Sequence, residues 1–373
     1  MQDLFLHRYA QLLVNYSLSI KTGEKLFIQT TPLAEPLVRE VYKAALQAGA
    51  ALVEIDFLFE GKNDIFYQTA KKAQLAEVPP LYKLAMETFD AYLHIRAPYV
   101  PSDKFQSDID TRKSAQLRQK AMQPIYDIYN ERTGTRSMKR CLCQYPTKAG
   151  ADAAKMSLKH YTDFIQNACG LHTENPMEVW LEQRRSQQHI VDYLNQKSEM
   201  RYLNAQTDTD ISFNTKDRIW INSDGQTNMP SGEVYTAPIE DSVNGKIHFT
   251  VPTAWSGKKI TGVTLTVKNG FVEKWSAKSN ASYLDALFTH DGARYFGEAA
   301  IGTNMRIQQQ TNNILFDEKI GGSVHMAVGQ SYAQCGGKNQ SSVHHDLITN
   351  MRNGGEIFAD GVCIYKDGFF LEL

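Results

Sequence analysis

The spacing of apolar residues changes character near residue 195, and that change limits what the chain can fold into. Up to that point short apolar runs alternate with helical stretches; beyond it, alternating strand patterns are broken by tight-turn dipeptides. Phe5, Tyr9, Leu12, Leu13 and Tyr16 recur at helical spacing, which predicts an amphipathic helix over residues 3–18. Residues 25–29 read as a short buried strand, residues 34–48 as a helix stopped at Gly49, and residues 51–59 as a second strand. Together they make a β-α-β unit. A helix over 65–72 and an apolar run over 91–95 extend the pattern toward a parallel sheet covered by helices. Residues 147–197 turn helical, with Trp180, Leu181, Ile190, Val191 and Leu194 as candidate core positions.

In the second part, Asn269-Gly270 lies between the strand-like residues 265–268 and 271–275, and supplies the positive φ angles of a two-residue hairpin turn. Asp360-Gly361 and Asp367-Gly368 punctuate residues 356–373 in the same way, predicting a closing meander. Two helices are expected to interrupt the strands, one near 281–288 and one over 317–333. The predicted fold class is therefore α/β, with an N-terminal α/β domain (1–195) built on a parallel-type sheet and a C-terminal β-rich α+β domain (196–373). At roughly 150 residues per domain, 373 residues accommodate both.

Lys and Arg total 40 against 41 Asp and Glu, so no global field favours a nucleic-acid partner. The basic cluster between Arg112 and Arg140 reads as a solvated helical face. Five scattered cysteines form no disulfide framework and point to reduced thiols in a cytoplasmic protein; Cys141 and Cys143 read as packing residues on a strand. Asp3, His7 and Arg8 interrupt any apolar leader, and no segment approaches 18 apolar residues, so secretion and membrane spanning are not expected. No G-x-G-x-x-G or Walker-type lysine loop supports nucleotide binding.

Candidate metal ligands gather after residue 230. Glu233 follows Pro230-Ser231-Gly232, a turn that would present the acid at a strand end. Glu298 lies in YFGEAAIG, an apolar and small-residue run in which an unpaired carboxylate costs several kcal/mol, so it needs a cationic partner. His344 and Asp346 form an H-x-D on a predicted strand; period-two geometry places them on one face and His345 on the other. His325 falls on the predicted helix 317–333, with Tyr332 two turns further along, about 10 Å away along the axis. Tyr332 could bind a metal or hydrogen-bond a reacting carbonyl. These six side chains offer enough oxygen and nitrogen for two divalent ions, although composition alone does not make them converge.

The order GEVYTAP, FGEAAIG, FDEKIGGSVHMAVGQSY, VHHDLI resembles the thermophilic-type metalloaminopeptidases, the family of aminopeptidase T and aminopeptidase S. INSDGQTNMPSGEVYTAP is the most distinctive segment, and the likeness extends through CQYPTKAGADAA to much of the chain. The resemblance implies a two-metal centre with Glu233, Glu298, His325, His344 and Asp346 as ligands and Tyr332 as an active-site tyrosine. It also implies a C-terminal metallopeptidase domain and a homodimer enclosing the site. Two departures stand out: His345 occupies a position where many relatives have Trp, and the N-terminal half is short.

The expected activity is metal-dependent removal of the N-terminal residue from short peptides with a free N-terminus, with Zn, Co, Mn or Mg as the ions. Glu233 and Glu298 are both candidates for general base, and Tyr332 for transition-state hydrogen bonding. Two other readings remain: a two-metal hydrolase of other amides or esters, and a catalytically silent peptide- or metal-binding homologue. Few Lys or Arg in the motif segments could clamp a phosphate, which argues against phosphoesters.

Overall fold

A computed structural model describes residues 2–101, 109–255 and 258–372. The chain divides into two compact units, Met1–Met177 with Gly225–Met229, and Glu178–Asp224 with Pro230–Leu373.

The first unit opens with helix α1 (Gln2–Gln11), which runs into a π-helical turn over Leu12–Ser17. Tyr9, Leu12, Leu13 and Tyr16 are buried along it, as their spacing predicts. Strands β1 (Lys25–Thr30), β2 (Leu52–Phe57), β3 (Ala91–Arg96) and β4 (Lys139–Gln144) pair in parallel in the order β2-β1-β3-β4. Helix α2 (Glu35–Gln47) makes the first crossover, burying Leu37, Val38, Val41, Ala44 and Ala45 at positions recurring with the helical period. Helices α3 (Lys62–Thr69), α4 (Lys72–Ala76), α5 (Pro80–Thr88), α6 (Ile109–Gly134), α7 (Lys148–Ala153) and α8 (Leu158–Ala168) complete the unit. Cys141 and Cys143 are buried on β4, and all five cysteines are free thiols. Of the basic cluster, the Arg112 side chain lies outside the described residues. Lys113, Lys120, Arg136 and Arg140 are exposed, whereas Arg132 donates to the Met86 carbonyl at 2.7 Å. Among the described residues no helix is long and apolar enough to cross a membrane.

Helix α9 (Pro176–Leu194) leads into the second unit. Its Ile190, Val191 and Leu194 pack into the core of that unit, so the division falls at Met177 rather than at residue 195. Strands β5 (Glu199–Asn204), β6 (Thr209–Asn214) and β7 (Ile221–Ser223) follow, and β8 (Asn228–Met229) joins the first unit's sheet in parallel beside β4. Next come β9 (Glu233–Thr236), β10 (Asn244–Phe249), the hairpin β11 (Thr253–Trp255) with β12 (Lys258–Ile260), β13 (Val263–Lys268) and β14 (Phe271–Ser276). Asn269 and Gly270, at φ 48° and 78°, turn β13 into β14 as expected. Helix α10 (Ser282–Leu287), β15 (Phe296–Gly302), α11 (Ile314–Asp317), β16 (Ser323–Gly329), β17 (His344–Asn350), β18 (Gly355–Ala359), β19 (Val362–Lys366) and β20 (Phe369–Phe370) complete the chain. The strands form an eight-stranded sheet, β14-β13-β10-β6-β5-β18-β19-β20, and a five-stranded antiparallel sheet, β17-β16-β15-β9-β7. Both contribute to one apolar core, which includes Tyr202, Phe213, Ile247 and Leu265 from the larger sheet and Ile301, Val324, Met326 and Leu347 from the smaller.

The expected helix over 317–333 is not formed. Only Ile314–Asp317 is helical; His325 lies in the middle of strand β16, and Tyr332 comes after that strand, just before a short 3-10 turn. All seven residues of β16 are buried, which suits an interior strand covered on both faces. Gly321 and Gly322, the latter at φ 87°, break any helix before the strand begins.

Candidate metal centre

The register of the five-stranded sheet brings the scattered acids and histidines together. Asp346, Ala327 and Glu298 lie opposite one another across β17, β16 and β15. The next row inward is Ile348, His325, Ala300 and Tyr235, and the one beyond it joins Ser323, Gly302 and Glu233. His344 lies opposite Gly329. Because successive side chains alternate across a sheet, all five ligand candidates share one face. The intervening positions on that face, Ala300, Gly302, Ala327 and Gly329, are small and leave room between the polar groups. The alternate positions Val234, Ala299, Ile301, Val324, Met326, Val328 and Leu347 point into the core.

Glu298 reaches this face through a β-bulge. The pairing shifts between Phe296 and Glu298, with Phe296 opposite Val328 and Glu298 opposite Ala327. Gly297 is the extra residue, so Phe296 enters the core while Glu298, two positions on, turns the other way. A Cβ on Gly297 would lie 2.3 Å from the Gln330 carbonyl oxygen, closer than any side chain can approach.

Ligand atoms of Glu233, Glu298 and His325 lie within 4.8 Å of one another, and so do those of Glu298, His344 and Asp346. Glu298 belongs to both groups. Its Oε1 is 3.7 Å from His325 Nε2 and its Oε2 is 3.1 Å from His344 Nε2. His325 Nε2 is 3.5 Å from Glu233 Oε2, and His344 Nε2 is 3.6 Å from Asp346 Oδ1. The Gln330 carbonyl can only accept, so His344 Nδ1 donates to it at 2.7 Å, leaving Nε2 to face the carboxylates. Tyr332 follows the strands rather than sharing a helix with His325, yet its hydroxyl is 3.3 Å from His344 Nε2.

The donor set suits divalent cations. Oε2 of Glu233 and Oδ1 of Asp346 are buried with no hydrogen-bond partner, as is Nδ1 of His325, and unsatisfied buried carboxylate oxygens are costly unless a cation meets them. Mixed carboxylate and imidazole ligation is compatible with Zn, Co, Mn or Mg. The charges of the carboxylates are felt by their neighbours. Burial works against a charged His325, but Glu298 and Glu233 outweigh it and raise the imidazole to about 9. His344 is raised to about 11 by Asp346 and Glu298 against the same opposition. Burial opposes ionisation of Glu298, yet the neighbouring His325 and His344 imidazoles keep its carboxyl below the ordinary value. The Glu298 charge, followed by burial, raises the Tyr332 phenol well above its usual range, so it remains a proton donor.

Sequence reasoning missed three residues here. Tyr235 shares the ligand face, and its ring packs edge-on against Tyr332 at 5.4 Å. Lys319 is fully buried, in contact with Glu318 and 3.5 Å from Glu233 Oε1. Burial disfavours its charge, but Glu233 and Glu318 hold the ammonium above its ordinary pKa. Glu318 in turn is raised to about 8 by burial, against the pull of Lys319. Asp317-Glu318-Lys319 sits between Phe316 and Ile320, but three successive charges have the composition of a solvated turn, so the sequence gives no sign that the lysine is buried. His345 points away from the site as expected; its ring meets Trp255 at 5.4 Å, and Nε2 lies 3.1 Å from Thr253 Oγ1.

The family model of the thermophilic metalloproteases (M29) matches residues 3–370. Aminopeptidase 2 from Geobacillus stearothermophilus is 28% identical, over 97% of this chain and 94% of that protein. Aminopeptidase AmpS from Bacillus subtilis (strain 168) is 26% identical over 95% of each. Among solved structures, wild-type AmpT from Thermus thermophilus matches with a TM-score of 0.84 over 99% of both chains at 21% identity, a likeness of fold.

Proposed function

This chain belongs to the thermophilic metalloprotease (M29) family, a family of peptide-bond hydrolases, and from that premise we propose that it is an aminopeptidase releasing the first residue of short peptides through a two-metal centre. The observation that carries this reading is the sharing of Glu298 between the two ligand groups. Glu298 has an oxygen toward each histidine, so Glu233, Glu298 and His325 would hold one ion, and Glu298, His344 and Asp346 the other. Two such ions would lower the pKa of a shared water toward 7 and polarise the peptide carbonyl.

The remaining work falls to the protein's own groups. The Tyr332 hydroxyl, 3.3 Å from His344 Nε2 at the edge of the ligand cluster, donates to the developing negative charge on the carbonyl oxygen. The Gln330 carbonyl fixes the orientation of the His344 ring. The substrate's free amine would be held by one ion or by a nearby carboxylate, and an internal peptide bond offers no such group. That difference accounts for exopeptidase selectivity. Glu233 and Glu298 are both placed for proton transfer, but a carboxylate held as a ligand is a poor base, and neither is singled out. The inferred homodimer rests on the family resemblance, and the inferred cytoplasmic location on the free cysteines.

Matched short peptides with free and N-acetylated termini, followed by mass spectrometry, test the reading. Loss of one residue from the unblocked peptides alone is expected. Cleavage within the acetylated peptides would rule out an aminopeptidase, and folded, metal-loaded protein that cleaves neither would mark a binding homologue.

A further inference from the structure

A buried charge beside the site has no part in this mechanism. Lys319 has no solvent exposure, and lysines are rarely buried so completely unless they are paired. Its Nζ contacts Glu318 Oε1 and lies 3.5 Å from Glu233 Oε1. The other oxygen of Glu233, Oε2, has no hydrogen bond and lies 3.5 Å from His325 Nε2. The two oxygens of this carboxylate therefore have different surroundings: one faces an ammonium, the other faces the site.

We propose that Lys319 is a positioning residue for Glu233, holding Oε1 so that Oε2 is directed toward the metal position it shares with His325 and Glu298. This inference rests on the assignment of Glu233 as a metal ligand. Glu233 is gripped at both ends, because Gln187 Nε2 donates to its backbone carbonyl at 3.1 Å while Lys319 meets its side chain. A carboxylate with one oxygen anchored cannot rotate about its terminal bond without giving up the ion pair. Lys319 is itself fixed by its backbone: its N–H donates to the Phe316 carbonyl at 3.1 Å, and its carbonyl accepts from the Asn304 N–H at 3.1 Å. The preceding Asp317 closes the turn by accepting from the Thr311 N–H at 2.7 Å and its hydroxyl at 2.8 Å. The backbone that carries the Lys319 side chain is thus an ordered turn.

Lys319→Met alone leaves the buried Glu233 and the partly buried Glu318 without their cation and could prevent folding. The primary variant therefore combines Lys319→Met with Glu318→Gln, removing cation and anion together. Zn2+ dissociation constants are measured for full-length protein by competition with a chromophoric chelator, with folding checked by circular dichroism. Affinity at one of two positions is expected to fall by roughly 10- to 100-fold, the usual effect of removing a group that orients a ligand. The same pair of substitutions in a Glu233→Gln background is expected to cause no further loss, since Lys319 acts through Glu233. Unchanged or tighter Zn2+ binding in folded variant, or losses that add in the Glu233→Gln background, would overturn the proposal. The readout needs no peptide. Wild-type protein that binds two ions without cleaving peptides would defeat the aminopeptidase reading while leaving this one intact, and wild-type protein that binds no divalent ion would defeat both.

Discussion

Glu298 and Asp346 lie in one cross-strand row on either side of Ala327, yet their replacement should have different consequences. Glu298 stands in both ligand groups and Asp346 in one. Glu298→Gln is expected to weaken both ions and to lower kcat/KM by at least about 1,000-fold, whereas Asp346→Asn weakens one ion and leaves the other near its wild-type affinity. Metal analysis of equilibrated protein beside steady-state kinetics checks this; a Glu298→Gln variant with full activity and full metal content would remove Glu298 from the centre. At this scale much was legible in the sequence. The H-x-D relation follows from the alternation of a strand, and the need of Glu298 for a cationic neighbour follows from the cost of burying a bare carboxylate. Lys319 was not legible, because Asp317-Glu318-Lys319 has the composition of a solvated turn, and only tertiary packing reveals that the lysine is buried.

Among the elements, β15 and β16 decide whether the site exists. The bulge at Gly297 reverses the side-chain alternation, and without it Glu298 would follow Phe296 into the core. Gly297→Ala places a methyl group against the Gln330 carbonyl and is expected to destabilise the protein by about 1–3 kcal/mol while disturbing the Glu298 position. Urea unfolding and Zn2+ affinity measured together test it. Wild-type stability and affinity in this variant would show that the bulge tolerates a side chain and does not depend on glycine. The bulge could not be read from FGEAAIG, because pairing register is a property of two strands. The helix expected over 317–333 gives way to strand β16 for a related reason. When both faces of a strand are buried the period of two disappears, and SVHMAVG becomes a continuous apolar run compatible with either element. The hairpin at Asn269-Gly270 was legible because its signal is local: two residues whose positive φ angles fit one turn.

For the whole molecule, the sequence distinguishes a parallel α/β part from an antiparallel β-rich part, and both are present. The division between them falls earlier than the change of sequence pattern, since α9 is helical like the segments before it but buries its apolar residues in the second core. Periodicity reports the kind of element and not the core it joins. Chain order likewise does not reveal that Gly225–Met229 returns to the first unit. In the proposed function, one face of the small antiparallel sheet holds two ions and peptide hydrolysis depends on both. The most direct measurement titrates chelated protein with Zn, Co, Mn or Mg separately, recording ions bound per chain and release of the first residue from an unblocked short peptide in the same samples. Release is expected to be absent without metal and to reach its maximum only as the second ion binds. Full activity in the presence of chelator, or a plateau reached with a single bound ion, would contradict the account.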